Sequence, residues 1–208
     1  MRINLIPFAG RVGTTSIAIA TAAELNRCTD TIVDIAVSNQ HQILQLLQYM
    51  GMPISEWHNG RCFNLHIRTQ AGFDIHTVTP LTGGYSVGIY MPEEVNETWP
   101  DMDKFTFNVA LLSTTYSSLA CYTQSRMRDR FDACIVNEIP DTALTVGDVK
   151  SITDKPIIEV WEHDPAIQRT IDAGMFHSRR SKLDHIARPL VKAAFAKTNT
   201  TNEQEYNV

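Results

Sequence analysis

The chain has 208 residues, of which 43% are hydrophobic and 20% charged, and its net charge is −5. A chain of this length buries about two-thirds of its unfolded surface without needing staples, and its mild acidity excludes a globally basic nucleic-acid binder while leaving room for a local basic face. Four cysteines without a C-x-x-C pair, and seven histidines without H-x-x-x-H or H-E-x-x-H spacing, argue for free thiols rather than a metal site or disulfide framework.

The N-terminal apolar run is short, and no stretch approaches the ~18 apolar residues of a membrane span. A cytoplasmic protein is expected. Met1 to Phe8 reads as a buried strand, Ala9 to Ser16 as a glycine-bearing turn, and Ile17 to Arg27 as a helix rich in Ala, Ile and Leu. Thr31 to Val37 reads as a second buried strand, and Asn39 to Met50 as a helix with Ile43, Leu44, Leu46 and Leu47 on its apolar side. Leu65–Thr69 and Phe73–Val78 are candidate strands, and Leu81 to Gly84 is a turn. The rest of 51–104 yields no periodic pattern.

Phe105–Leu112 is strand-like, Tyr116–Arg130 helical, Phe131–Val136 a short strand, Val146–Ile152 a brief helix and Pro156–Val160 the last strand. Asp164 suits a helix N-cap, Pro165 the first helical position and Gly174 the C-terminal left-handed position. A final helix is expected from Ser181 to Lys197, with Leu183, Ile186, Ala187, Leu190, Val191, Ala194 and Phe195 on one face. Pro189 should kink it or mark its first turn. Strands alternating with helices imply an α/β fold, a mostly parallel sheet with helices on both faces. Residues 1–197 are read as one domain and 198–208 as a polar, flexible tail.

The strand–glycine turn–helix at the N-terminus is the most informative feature. Backbone N–H groups converge where such a helix begins, and its dipole adds partial positive charge, so the turn suits an anion. The pattern G-x-x-x-x-G-K-[ST] places its second glycine on Gly13, its lysine on Thr14 and its hydroxyl on Thr15. The architecture of a phosphate loop is present and its charge is absent.

At these residues the chain resembles the ParA/MinD group of P-loop ATPases, including CpaE- and TadZ-like members with an altered loop. Where that group reads K-G-G-x-G-K-T-[TS], this chain reads Ala9-Gly10-Arg11-Val12-Gly13-Thr14-Thr15-Ser16. Val136-Asn137-Glu138-Ile139-Pro140 is similar to the strand end whose asparagine reads adenine, and Trp161 to Gly174 to the I-P-x-D-P segment.

The resemblance implies that Gly10, Arg11, Val12, Gly13, Thr14, Thr15 and Ser16 cradle phosphate, with Thr15 on Mg²⁺ and Asn137 at the base. ATP or ADP with Mg²⁺ would be the ligand. Both family lysines are missing, at Ala9 and Thr14, and the second aspartate of the family's D-x-D is replaced, since Asp34 is followed by Ala36. Phosphoryl transfer depends on positioning and charge neutralisation, so hydrolysis is expected to be weak or absent.

Arg179, Arg180, Lys182, Arg188, Lys192 and Lys197 make the C-terminal region locally basic. The resemblance implies non-specific DNA as one partner for such a face, whereas the polar, acidic end is a poor membrane anchor. It also implies a homodimer that recruits an adaptor or centromere-binding-type protein, in plasmid or DNA segregation or in placing an apparatus. Two alternatives stand beside it: a nucleotide-free pseudo-ATPase adaptor in a filament, secretion or pilus apparatus, and a slow ATPase in which Arg11 or a partner residue replaces the lysine. Trp57, Trp99 and Trp161 are read as core or interface residues.

Overall fold

The computed structural model describes residues 1–10, 12–31, 33–37, 63–67, 84–89, 106–162, 164–172 and 183–205. Their strands form one seven-stranded sheet in the order β3-β2-β4-β1-β5-β6-β7. These are β1 (Arg2–Pro7), β2 (Val33–Val37), β3 (Phe63–Ile67), β4 (Ser86–Ile89), β5 (Thr106–Ser113), β6 (Ala133–Asn137) and β7 (Ile157–Trp161). Every pairing is parallel. All strands therefore end at one rim, where the turn after β1 also lies.

Helix α1 (Thr14–Thr29) and the C-terminal α5 (Asp184–Glu205) cover one face of the sheet. There Ile17, Leu25, Leu183, Leu190 and Val191 pack on Ile3, Leu5, Val87 and Val109. Helices α2 (Tyr116–Gln124) and α3 (Val146–Ile152) cover the other face, where Leu119, Tyr122 and Val149 meet Ile6, Phe8, Ala110 and Leu112. Helix α4 (Pro165–Asp172) follows β7. Both faces of β1 are sealed, which explains its near-continuous apolar run. Each of its fully buried side chains, Ile3, Leu5 and Ile6, contributes roughly 1.5–3 kcal/mol.

One polar pair sits inside this sheet. Asn4 and Asn108 face each other in register across β1 and β5, and Asn4 Nδ2 donates to Asn108 Oδ1 at 2.8 Å. Below it, Lys197 reaches from α5 to Asp132, 2.8 Å away, and donates to the Thr106 carbonyl. Thus one of the residues read as part of a basic surface is a partly buried tie between α5, β5 and Asp132.

Several expectations change. β4 was not anticipated. The helix from Tyr116 stops at Gln124, where Ser125 takes an extended conformation, and a 3-10 turn at Arg128–Arg130 follows. The last helix contains Pro189 in its interior and runs to Glu205, past the expected end at Lys197. The predicted helix 39–50, the strand 73–78 and the Gly174 cap lie outside the described residues.

Candidate functional site

Ligands of open α/β sheets bind where successive connections depart in opposite directions. Here α1 carries the chain from β1 toward β2 on one side, while β5 is followed by β6 and β7 on the other. The glycine turn leaves the end of β1 beside that switch point.

The turn is held at both ends. At its start the Phe8 N–H donates to the Leu111 carbonyl of β5 at 3.0 Å, and the Phe8 ring meets Tyr122 and Phe131 edge-on at 5.4 and 5.5 Å. Gly10 is exposed, and a methyl group added there would touch nothing within 4 Å. Val12 is buried in the α1 core, and Gly13 caps α1 in the left-handed conformation, with φ 75° and ψ 16°.

The first helical bond runs from the Ile17 N–H to the Gly13 carbonyl, so the N–H groups of Thr14, Thr15 and Ser16 precede the ladder. Gly13, having no side chain, cannot cap them, and no acidic residue stands in the first turn. Thr14 and Thr15 are half-buried, and Ser16 is buried. This is an anion-compatible helix start with a hydroxyl where a phosphate loop has its ammonium. Arg11, the candidate substitute cation, lies outside the described residues, and the side chain of Asp34 does too.

Gly13 has a neighbour that the sequence did not reveal. A methyl group on its Cα would collide with Cζ3 of Trp161 and would lie 2.5 Å from Cη2 and 2.8 Å from Cε3. The indole, 8% exposed, belongs to the same core as Val12 and Ile17. The reading of Trp161 as a core residue holds. Glycine is thus required at position 13 twice, by the backbone angle and by the ring.

Asn137 ends β6, half-buried, between Ser113 of β5 and Trp161 of β7 in register. Its carbonyl accepts from the Thr114 N–H, and the Glu138 N–H donates to the Trp161 carbonyl at 2.9 Å. The candidate phosphate and base residues therefore share one rim. Asp164 is a helix cap, as expected: its Oδ1 accepts from the Ala166 N–H at 2.7 Å.

The hydroxyls that end β5 are all engaged in structure. Ser113 Oγ lies 2.8 Å from Thr115 Oγ1, and Thr115 caps α2 by accepting from the Ser118 N–H. Thr114 Oγ1 accepts from the Ile139 N–H at 2.9 Å and from the Thr142 hydroxyl at 2.9 Å. These bonds tie the loop after β6 to β5.

Of the candidate DNA-contacting residues, Arg179, Arg180 and Lys182 lie outside the described residues. Arg188 is exposed but bonded to Asp184 at 3.0 Å, with Glu24 at 3.9 Å, and Lys192 is exposed on α5. Beside them, a cleft of about 670 Å³ opens between the end of β7 and the first turns of α4 and α5, lined by Trp161, Glu162, Asp164, Ile167, Ile186 and Arg188 among others. Among the described residues no helix is long and apolar enough to cross a membrane.

No protein-family model matches the sequence, and no curated protein matches it significantly. Solved structures do. A ParA family ATPase from Chlorobium tepidum superposes with a TM-score of 0.60 at 13% identity, covering 93% of this chain and 97% of that one. The Aquifex aeolicus MinC:MinD cell division complex gives 0.61 at 15%, covering 94% and 95%. A Borrelia burgdorferi B31 protein assigned to plasmid partition, bound to AMPPNP, gives 0.61 at 10%, covering 94% and 98%. The chain has the α/β fold of ParA- and MinD-type ATPases.

Proposed function

We propose that this chain is a ParA/MinD-like partitioning or positioning protein in the cytoplasm, which dimerises, recruits an adaptor and binds ATP or ADP as a conformational ligand with little hydrolysis. The observation that carries the reading is the left-handed Gly13 turn opening a glycine-capped α1 at the rim of a ParA/MinD-type sheet.

The residues fit a nucleotide in one respect and not in another. The N–H groups at Thr14 to Ser16, which precede the helical ladder, and the α1 dipole suit a phosphate chain, Thr15 offers a hydroxyl for Mg²⁺, and Asn137 stands along the rim for a base. The lysine positions hold Ala9 and Thr14, so the described loop supplies no ammonium to offset the phosphate charge. A bound Mg²⁺ would supply part of that neutralisation. A ligand shifts a protein between states by its differential affinity for them, whether or not it is hydrolysed. Lys192 and Arg188 make non-specific DNA a second candidate partner, through phosphate contacts that weaken with salt.

The test is titration calorimetry with ATP, ADP and a non-hydrolysable analogue, with and without Mg²⁺, supported by thermal shift. Gly13→Asp would collide with Trp161 and confound folding with binding. Gly10→Asp instead places a carboxylate in open space beside the loop. The expected result is Mg²⁺-dependent binding weakened tenfold or more by Gly10→Asp, with turnover near background. Silence in both assays would sink the nucleotide reading and leave the adaptor role, whereas turnover abolished by Arg11→Ala would mark a slow ATPase.

A further inference from the structure

We infer that Trp161 is the positioning residue of the rim: its side chain fixes the glycine turn, and its backbone fixes the end of β6, so that one residue sets the distance between Gly13 and Asn137. Three observations meet in it. The benzo edge of the indole, Cε3, Cζ3 and Cη2, lies over the Gly13 Cα so closely that no side chain fits between them. Its main chain is in register with Asn137, and its carbonyl accepts from the Glu138 N–H at 2.9 Å. Trp161 also lines the cleft that α4 and α5 share with β7.

The chemistry of the ring suits this role. An indole has only two side-chain torsions, and this one is 8% exposed, among Val12, Ile17, Ile167 and Ile186. Close-packed interiors transmit displacement rather than absorb it. A shift of the turn at Gly13 therefore moves the ring, and with it the side of the cleft that faces Ile167 and Ile186. Phosphate loops elsewhere gain geometry from a lysine bound to the ligand. In this chain, where Thr14 stands in that place, packing supplies the geometry before any ligand arrives.

Part of this inference rests on the nucleotide reading, and the experiment separates the two. The first arm needs no ligand. Urea unfolding is measured for the wild type, Gly13→Ala, Trp161→Ala and the double variant. Gly13→Ala should lower the folding constant at least about tenfold more in the wild-type background than in the Trp161→Ala background, the coupling expected of side chains in direct contact. Should Trp161→Ala not fold, Trp161→Leu takes its place in the cycle. Additive effects would overturn the inference, whether or not nucleotide binds.

The second arm compares Mg-ATP, which would span the loop and Asn137, with tripolyphosphate, which would need the loop alone. Trp161→Ala should weaken Mg-ATP about tenfold and tripolyphosphate about threefold or less, and Trp161→Phe should restore most of the difference. An equal loss for both ligands would overturn the spacing role. If neither ligand binds the wild type, the nucleotide reading falls and the unfolding cycle alone decides the inference.

Discussion

Two hydroxyl triplets follow central strands at the same rim, Thr14-Thr15-Ser16 after β1 and Ser113-Thr114-Thr115 at the end of β5, and their fates are opposite. The second triplet is closed: Thr115 caps α2, Ser113 bonds Thr115, and Thr114 holds the loop at Ile139 and Thr142. The first begins a helix whose cap is a glycine, which has no side chain to accept from the first turn. Similar side chains thus finish the fold in one place and leave a polar opening in the other. Backbone position, rather than residue type, separates structure from candidate function here.

The largest expected effect breaks the first region at its support. Trp161→Ala should cost about 3–5 kcal/mol, the usual range for deleting a large buried aromatic, read as a lower urea midpoint. Gly13→Ala should cost about 3 kcal/mol, combining a disfavoured left-handed alanine with overpacking against the indole. Gly10→Ala, three residues away in open space, should change stability by less than about 0.5 kcal/mol. Equal effects at the two glycines would show that the ring does not press on the turn.

The triplets themselves separate next. Thr115→Ala should cost about 1 kcal/mol through loss of the α2 cap, and Thr14→Ala should be close to neutral in thermal unfolding. Thr14→Lys sharpens the contrast: it should raise tripolyphosphate affinity about tenfold by adding a charge-assisted bond at an opening already shaped for an anion. No gain would mean that the opening is not an anion site.

Thiol labelling probes the closed side without mutation. Burial pushes the Cys134 thiol up to about 12, so it should label only on unfolding. Of the thiols in the described residues, exposed Cys121 should label first, and Cys28, whose thiol is raised by desolvation and by Glu24, more slowly. Peptide mass spectrometry would give the order.

The smallest effect lies at the α3 cap. The backbone and side-chain hydrogen bonds from Thr145 lower the Asp148 carboxyl below its usual range. A depressed carboxyl stabilises the fold above its unfolded value, and that contribution fades as pH falls through the folded one. Asp148→Asn should therefore narrow the stability gap between neutral and acid pH, seen as a flatter melting profile below about pH 4.

What the sequence makes legible follows from how strongly each element is patterned. β1, the glycine turn, α1 and α3 are plain, because apolar runs and turn residues agree there. β4 is not: Ser86-Val87-Gly88-Ile89 is four residues long and carries a serine and a glycine. It lies fully buried between β1 and β2, where tertiary pairing overrides propensity. The extension of α5 past Lys197 is polar and shows no apolar face to announce it. The rim was half legible. Gly13 and Asn137 could be placed from local patterns, but the meeting of Trp161 with Gly13 joins residues far apart in the chain, and no spacing rule connects them.

The place of β1 has a consequence in time. It is made first, yet it lies between β4 and β5, and Asn4 meets its partner Asn108 only 104 residues later. At the usual pace of synthesis that is a wait of roughly 5–20 s, during most of which an apolar strand has neither neighbour, since β4 begins only at Ser86. When both arrive, a slip by one residue would set the Asn4 amide against Phe107 or Val109 and strand it in an apolar interior. The buried amide pair thus gives a late-docking strand a single alignment, so the turn that follows, with Gly13 on it, is delivered to one place along the rim.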